Sequence, residues 1–63
     1  MRIKTTDHQK GTTTTRDYPY TVKTYLAIHW GAWGGFFSIF KSGKAWEIYD
    51  AITQDHLYTV ARG

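Results

Sequence analysis

His8, His29 and His56, Ser38 and Ser42, and the carboxylates Asp7, Asp17, Glu47, Asp50 and Asp55 are the side chains from which reaction chemistry would have to be built here. His56 follows Asp55 and lies close to Asp50 in one short segment, which is material for a metal-independent nuclease. Residues of these types in a loop more commonly form a solvated turn, with the Asp50 carboxylate bonded to its own backbone. Nucleophilic catalysis is poorly supplied. There is no cysteine, Ser42 sits in a tight turn, Ser38 lies in a strand opposite Glu47, and no G-x-S-x-G occurs. No catalytic residue is assigned, and a non-enzyme is expected. A metal would need the histidines to converge. They are spread over arm, strand and loop, with no H-x-H or i, i+4 pair, so no metal and no cofactor is expected. His29, between Ile28 and Trp30, reads as a half-buried strand residue.

Binding chemistry has more to work with. The chain holds three Trp, five Tyr and three Phe, and such rings concentrate where proteins meet while charge is depleted there. A non-enzymatic protein that docks an aromatic sheet face on a protein partner, or on a second copy of itself, is the first expectation. Its candidate anchors are Tyr25, Trp33, Phe36, Phe40 and Tyr49. Small chains of this kind are also the type that viral genomes encode to bind and block host proteins, an association of size and composition.

Nonspecific nucleic-acid binding is the alternative. It would use Arg2, Lys4, Lys10, Arg16, Lys41 and Lys44 on phosphates. Phe36, Phe40, Tyr49 and Tyr25 would stack on bases at about 1–3 kcal/mol each. The net charge is +3, and its excess lies in residues 1–23. There Arg2, Lys4, Lys10, Arg16 and Lys23 face only Asp7 and Asp17; the rest of the chain is balanced.

The elements that must position these residues begin with a hairpin. Two β-prone runs, 36–41 and 45–50, flank Ser42-Gly43, a short-range turn signal. With those two residues as the turn, Lys41 faces Lys44, Phe40 faces Ala45, Ile39 faces Trp46, Phe37 faces Ile48 and Phe36 faces Tyr49. Phe37, Ile39, Trp46 and Ile48 then line one side, and Phe36, Phe40 and Tyr49 the other. A sheet with one wet face alternates apolar and polar; this ribbon is apolar on both sides.

Residues 20–30 read as the longest strand, with Val22, Leu26, Ile28 and Trp30 on one side. A glycine-rich turn returns the chain to residue 36, and a last strand spans 57–61 with its register open. Residues 1–19 form a basic, threonine-rich arm or edge strand; the hairpin version pairs 2–6 with 12–17 and turns at residues 8–11. If the arm covers the second face, Ile3, Tyr18 and Tyr20 are the covering residues. The expected fold is therefore all-β, a small antiparallel meander of about four strands over residues 20–63 behind that arm. An α+β version, ββαβ, places a helix near 43–54, where Ala45, Ile48, Tyr49 and Ile52 also share a helical face.

At 63 residues this is one small domain, and chains this short bury only about 60% of their unfolded surface. Without cysteine, no disulfide staples it. The segment from Thr24 to Phe40 is uncharged but shorter than the roughly 20 residues a membrane helix needs. It also carries glycines, His29 and central tryptophans, so no membrane span is expected. Met1 leads into polar sequence rather than an apolar signal segment, which makes the cytoplasm the default location.

Overall fold

A computed structural model describes residues 1–31 and 35–63. The chain runs β1 (Arg2–Asp7), β2 (Thr12–Asp17), α1 (Val22–His29), β3 (Phe37–Ser42), β4 (Ala45–Asp50) and β5 (His56–Arg62). The strands form one antiparallel sheet in the order β2-β1-β5-β4-β3. The expectation of a small antiparallel β domain holds, with five strands and one short helix laid on one face.

The stretch expected as the longest strand is that helix. Thr21 caps it, its backbone extended and its side chain accepting from the Thr24 N–H, while the Tyr25 N–H bonds the Thr21 carbonyl. Val22, Tyr25, Leu26 and Trp30 follow the i, i+3, i+4, i+8 spacing of a helix face. Tyr25, Leu26 and Trp30 are buried against Ile3, Ile48 and Val60 from the sheet, and these six form the core. Ile28, on the far side of the helix, is exposed. Strand propensity lost to the need to cover a sheet face. The helix near 43–54 does not form, because that segment is β4 and the loop after it.

Residues 2–17 form the hairpin version of the N-terminal segment. Gly11 closes its turn at φ +68°, its N–H bonded to the Asp7 carbonyl. β2 is an edge strand, exposed throughout, whereas β1 lies inside the sheet between β2 and β5. Ile3, the one apolar residue of β1, is fully buried through that pairing. Tyr18 and Tyr20 pack against the core on the helix side, so they do not cover the second face.

The β3–β4 turn is centred one residue later than expected. Ser42 pairs with Ala45, Lys41 with Trp46, Phe40 with Glu47, Ile39 with Ile48 and Ser38 with Tyr49. Gly43 at φ +62° then occupies the first central position, as a type II′ turn requires. Each partner moves by two residues, so no side chain changes face. Phe37, Ile39, Trp46 and Ile48 still share the helix side, while Phe40 and Tyr49 point to the other.

Candidate functional site on the uncovered sheet face

Cross-strand partners share a face, so the register defines the side opposite the helix. Arg2, Lys4 and Thr6 of β1 stand there beside Asp17, Thr15 and Thr13 of β2. Thr59 and Ala61 of β5, Ala45, Glu47 and Tyr49 of β4, and Ser38, Phe40 and Ser42 of β3 complete it. The helix packs on the opposite face; Gly63, just past β5, lies beside Arg2, Lys4 and Thr15 on this one.

A row of rings crosses it. His8 stacks on His56 at 4.0 Å between centroids, His56 on Tyr49 at 4.7 Å, and Tyr49 meets Phe40 edge-on at 5.9 Å. The row holds because its members are fixed by backbone. His8 follows β1, where its N–H bonds the Leu57 carbonyl and the Asp7 carboxylate accepts from the Gln9 and Lys10 N–H groups. His56 opens β5 behind a loop tied by Asp50, whose carboxylate accepts from the Ile52 and Thr53 N–H groups. Those two bonds hold the Asp50 carboxyl below its ordinary range. A register shift beside Tyr49 leaves Leu57 as the extra residue and sets Tyr49 against His56.

Polar groups gather beneath the rings. The Thr59 hydroxyl donates to Glu47 Oε2 at 3.0 Å and lies 2.6 Å from His8 Nε2 and 3.5 Å from His56 Nε2. His56 Nε2 also meets Glu47 Oε2 directly. Histidines expected to stay apart thus converge in part: His8 and His56 meet, while His29 remains on the helix, its ring 4.3 Å from that of Tyr25. From sequence, Glu47 stands out only as one of five carboxylates and Thr59 not at all, because their pairing depends on the β5 register.

The expected docking anchors divide. Phe40 is 59% exposed on the uncovered face and Tyr49 lies half-buried beside it. Phe36, also exposed, lies elsewhere, lining a cleft with Trp30 and Phe37 at the end of the helix. Tyr25 is not a surface anchor but a core residue, 6% exposed, its hydroxyl 3.1 Å from Thr5 Oγ1. Burial raises its pKa above the ordinary 10.0. Trp33 lies outside the described residues.

The basic candidates do not form one surface. Arg2 and Lys4 are on the uncovered face, Arg16 and Lys41 are on the helix side, and Lys10 and Lys44 sit in the two hairpin turns. Lys41 Nζ lies 5.6 Å from the Trp46 ring centre. The uncovered face carries Arg2 and Lys4 against Asp17 and Glu47, so the net +3 of the chain lies off it. Among the described residues no helix is long and apolar enough to cross a membrane. No family model, curated protein or solved structure matches the chain.

Proposed function

We propose that this chain is a non-enzymatic binding protein whose uncovered sheet face docks on a second copy of itself. The observation that carries the reading is Phe40, 59% exposed at the end of a ring row on the face opposite the helix. Two further facts support a copy of the same chain as the occupant. Arg2 and Lys4 balance Asp17 and Glu47, so the face does not repel itself. Five strands of about six residues span roughly 24 by 20 Å. Two such faces together bury about 1,000 Å², the lower edge of what a specific interface needs.

Base stacking fits this face less well. His8, His56 and Tyr49 stack along the sheet, so the inner rings spend their flat faces on one another and offer mainly edges to an incoming ligand. The cations for a phosphate backbone are divided between both sides of the sheet and its turns.

Sedimentation equilibrium from low micromolar to millimolar concentration tests the proposal. The expected result is a monomer–dimer equilibrium that Phe40→Glu weakens at least about tenfold, with the folded circular-dichroism spectrum retained. Ile28→Glu, on the exposed side of the helix, leaves the equilibrium unchanged. A wild-type monomer across the whole range, or a Phe40→Glu dimer as tight as wild type, overturns the reading and leaves a different protein as the occupant to seek.

A further inference from the structure

We propose that His8, Glu47 and His56 form a binding site for a first-row divalent transition metal, with Zn²⁺ the natural probe. This does not rest on the docking reading, although both use the same face. One ligand atom from each of the three residues lies within 4.8 Å of the others. Imidazole nitrogen with one carboxylate is a donor set for zinc, copper, nickel or iron; magnesium and calcium favour all-oxygen sites. Zinc takes such ligands at about 2.0–2.2 Å, which puts ligand atoms about 3.3 Å apart in a tetrahedron. To reach that separation His56 Nε2 and Glu47 Oε2, now in direct contact, move apart, and any wider pair closes from at most 4.8 Å. His8 is exposed, so its ring has room to turn.

The three ligands come from separate places that the fold brings together. His8 is delivered by the β1–β2 turn, Glu47 by the middle of β4 and His56 by the start of β5. Each is anchored through backbone already described: the Asp7 turn and the Leu57 carbonyl for His8, the β4 pairings for Glu47, and the Asp50 loop for His56. Ligands on fixed backbone lose little freedom when a cation arrives. Thr59, already donating to Glu47, stays as the outer partner that orients the carboxylate. Its hydroxyl currently holds His8 Nε2; in the metal-bound form that nitrogen turns its lone pair to the cation and the imidazole proton resides on Nδ1.

Three protein ligands leave at least one coordination position toward solvent, the pattern of an open site rather than a closed structural one. The third residue is an oxygen donor, which distinguishes this constellation from a chance pair of stacked histidines. Glu47 and His56 are both partly shielded, with side chains 20% and 34% exposed, so their attraction to a cation is less screened than at a fully wet surface.

Titration of the full chain with ZnCl₂ by calorimetry tests this, alongside Co²⁺ visible spectra. Binding of one equivalent in the micromolar range is expected, weakened at least about tenfold by His8→Ala or by Glu47→Gln. Two-dimensional NMR of the wild type gives a readout that needs no variant: the imidazole signals of His8 and His56 shift on adding Zn²⁺ and those of His29 do not. Phe40→Glu, which disrupts docking, retains Zn²⁺ binding, so the two proposals fail separately. Zn²⁺ binding weaker than millimolar, or wild-type affinity in a folded His8→Ala/His56→Ala variant, overturns the assignment. So does a Zn²⁺ response confined to His29.

Discussion

His8 and His56 stack at 4.0 Å although one residue follows β1 and the other begins β5. Beneath the pair, the Thr59 hydroxyl contacts both Nε2 atoms and Glu47. A hydroxyl has one proton, and this one goes to the carboxylate. His8 Nε2 must therefore carry the hydrogen of the His8–Thr59 bond, which fixes the His8 tautomer. Thr59 is the hub on which β1, β4 and β5 meet on the uncovered face.

Replacing that hub has two separable effects. Thr59→Val keeps the branched shape and removes the hydroxyl, so unfolding in urea should show a loss of about 1 kcal/mol. The His8 ring also loses the partner that selects its tautomer. Its ¹⁵N shifts should move toward a mixture, with His29 unchanged as the internal control. Wild-type stability together with unchanged His8 shifts would show that the hub does not form.

Tyr25 supplies a test on the opposite face. Burial raises its pKa, and its hydroxyl bonds Thr5. Tyr25→Phe should cost about 1 kcal/mol at neutral pH, since Thr5 loses a part-buried partner. The sign of the alkaline dependence follows from the raised value. The folded state resists ionising Tyr25, so its contribution is whole below the ordinary pKa of 10.0 and is lost as pH rises toward the folded value. The wild-type and variant stability curves should converge above pH 10.0. Curves that stay parallel through the alkaline range would place Tyr25 outside the core.

The β3–β4 hairpin was legible because its signals are local. Aromatic and β-branched runs flank Gly43, and the two sides of the ribbon came out right even with the turn centre misplaced, since the slip was even. The helix was not legible from propensity. Val22, Thr24, Tyr25 and Ile28 all favour strands, and the alternation of Leu26, Ile28 and Trp30 fits a strand as well as Val22, Tyr25, Leu26 and Trp30 fit a helix. Thr21 as an N-cap two residues after Pro19 was the signal that could have decided it.

β1 was harder still. It holds one apolar residue, Ile3, and that residue is buried only because β5 returns from the far end of the chain to pair with it. The candidate site shares this dependence. Phe40 and Tyr49 lie in the β3–β4 hairpin and were found, whereas His8, Glu47, His56 and Thr59 meet only through the non-local β1–β5 register and a β4–β5 register that the loop between those strands leaves open in the sequence.

Asp50 links that non-local site to a local turn. Its carboxylate accepts from the Thr53 and Ile52 N–H groups, which lower its pKa below 3.8. A depressed carboxylate stabilises the fold above its unfolded pKa, and the contribution disappears as pH falls through the folded value. Asp50→Ala should therefore be less stable than wild type by a constant margin near neutral pH, and the margin should shrink in acid below about pH 4. The loop so loosened is the one that delivers His56, while the backbone anchors of His8 are untouched. Amide exchange should accordingly speed up from Ala51 to His56 and stay slow at the His8 N–H, which bonds Leu57. A margin that is unchanged down to acid pH, or equal acceleration at both ends of the ring row, would show that Asp50 does not hold this turn.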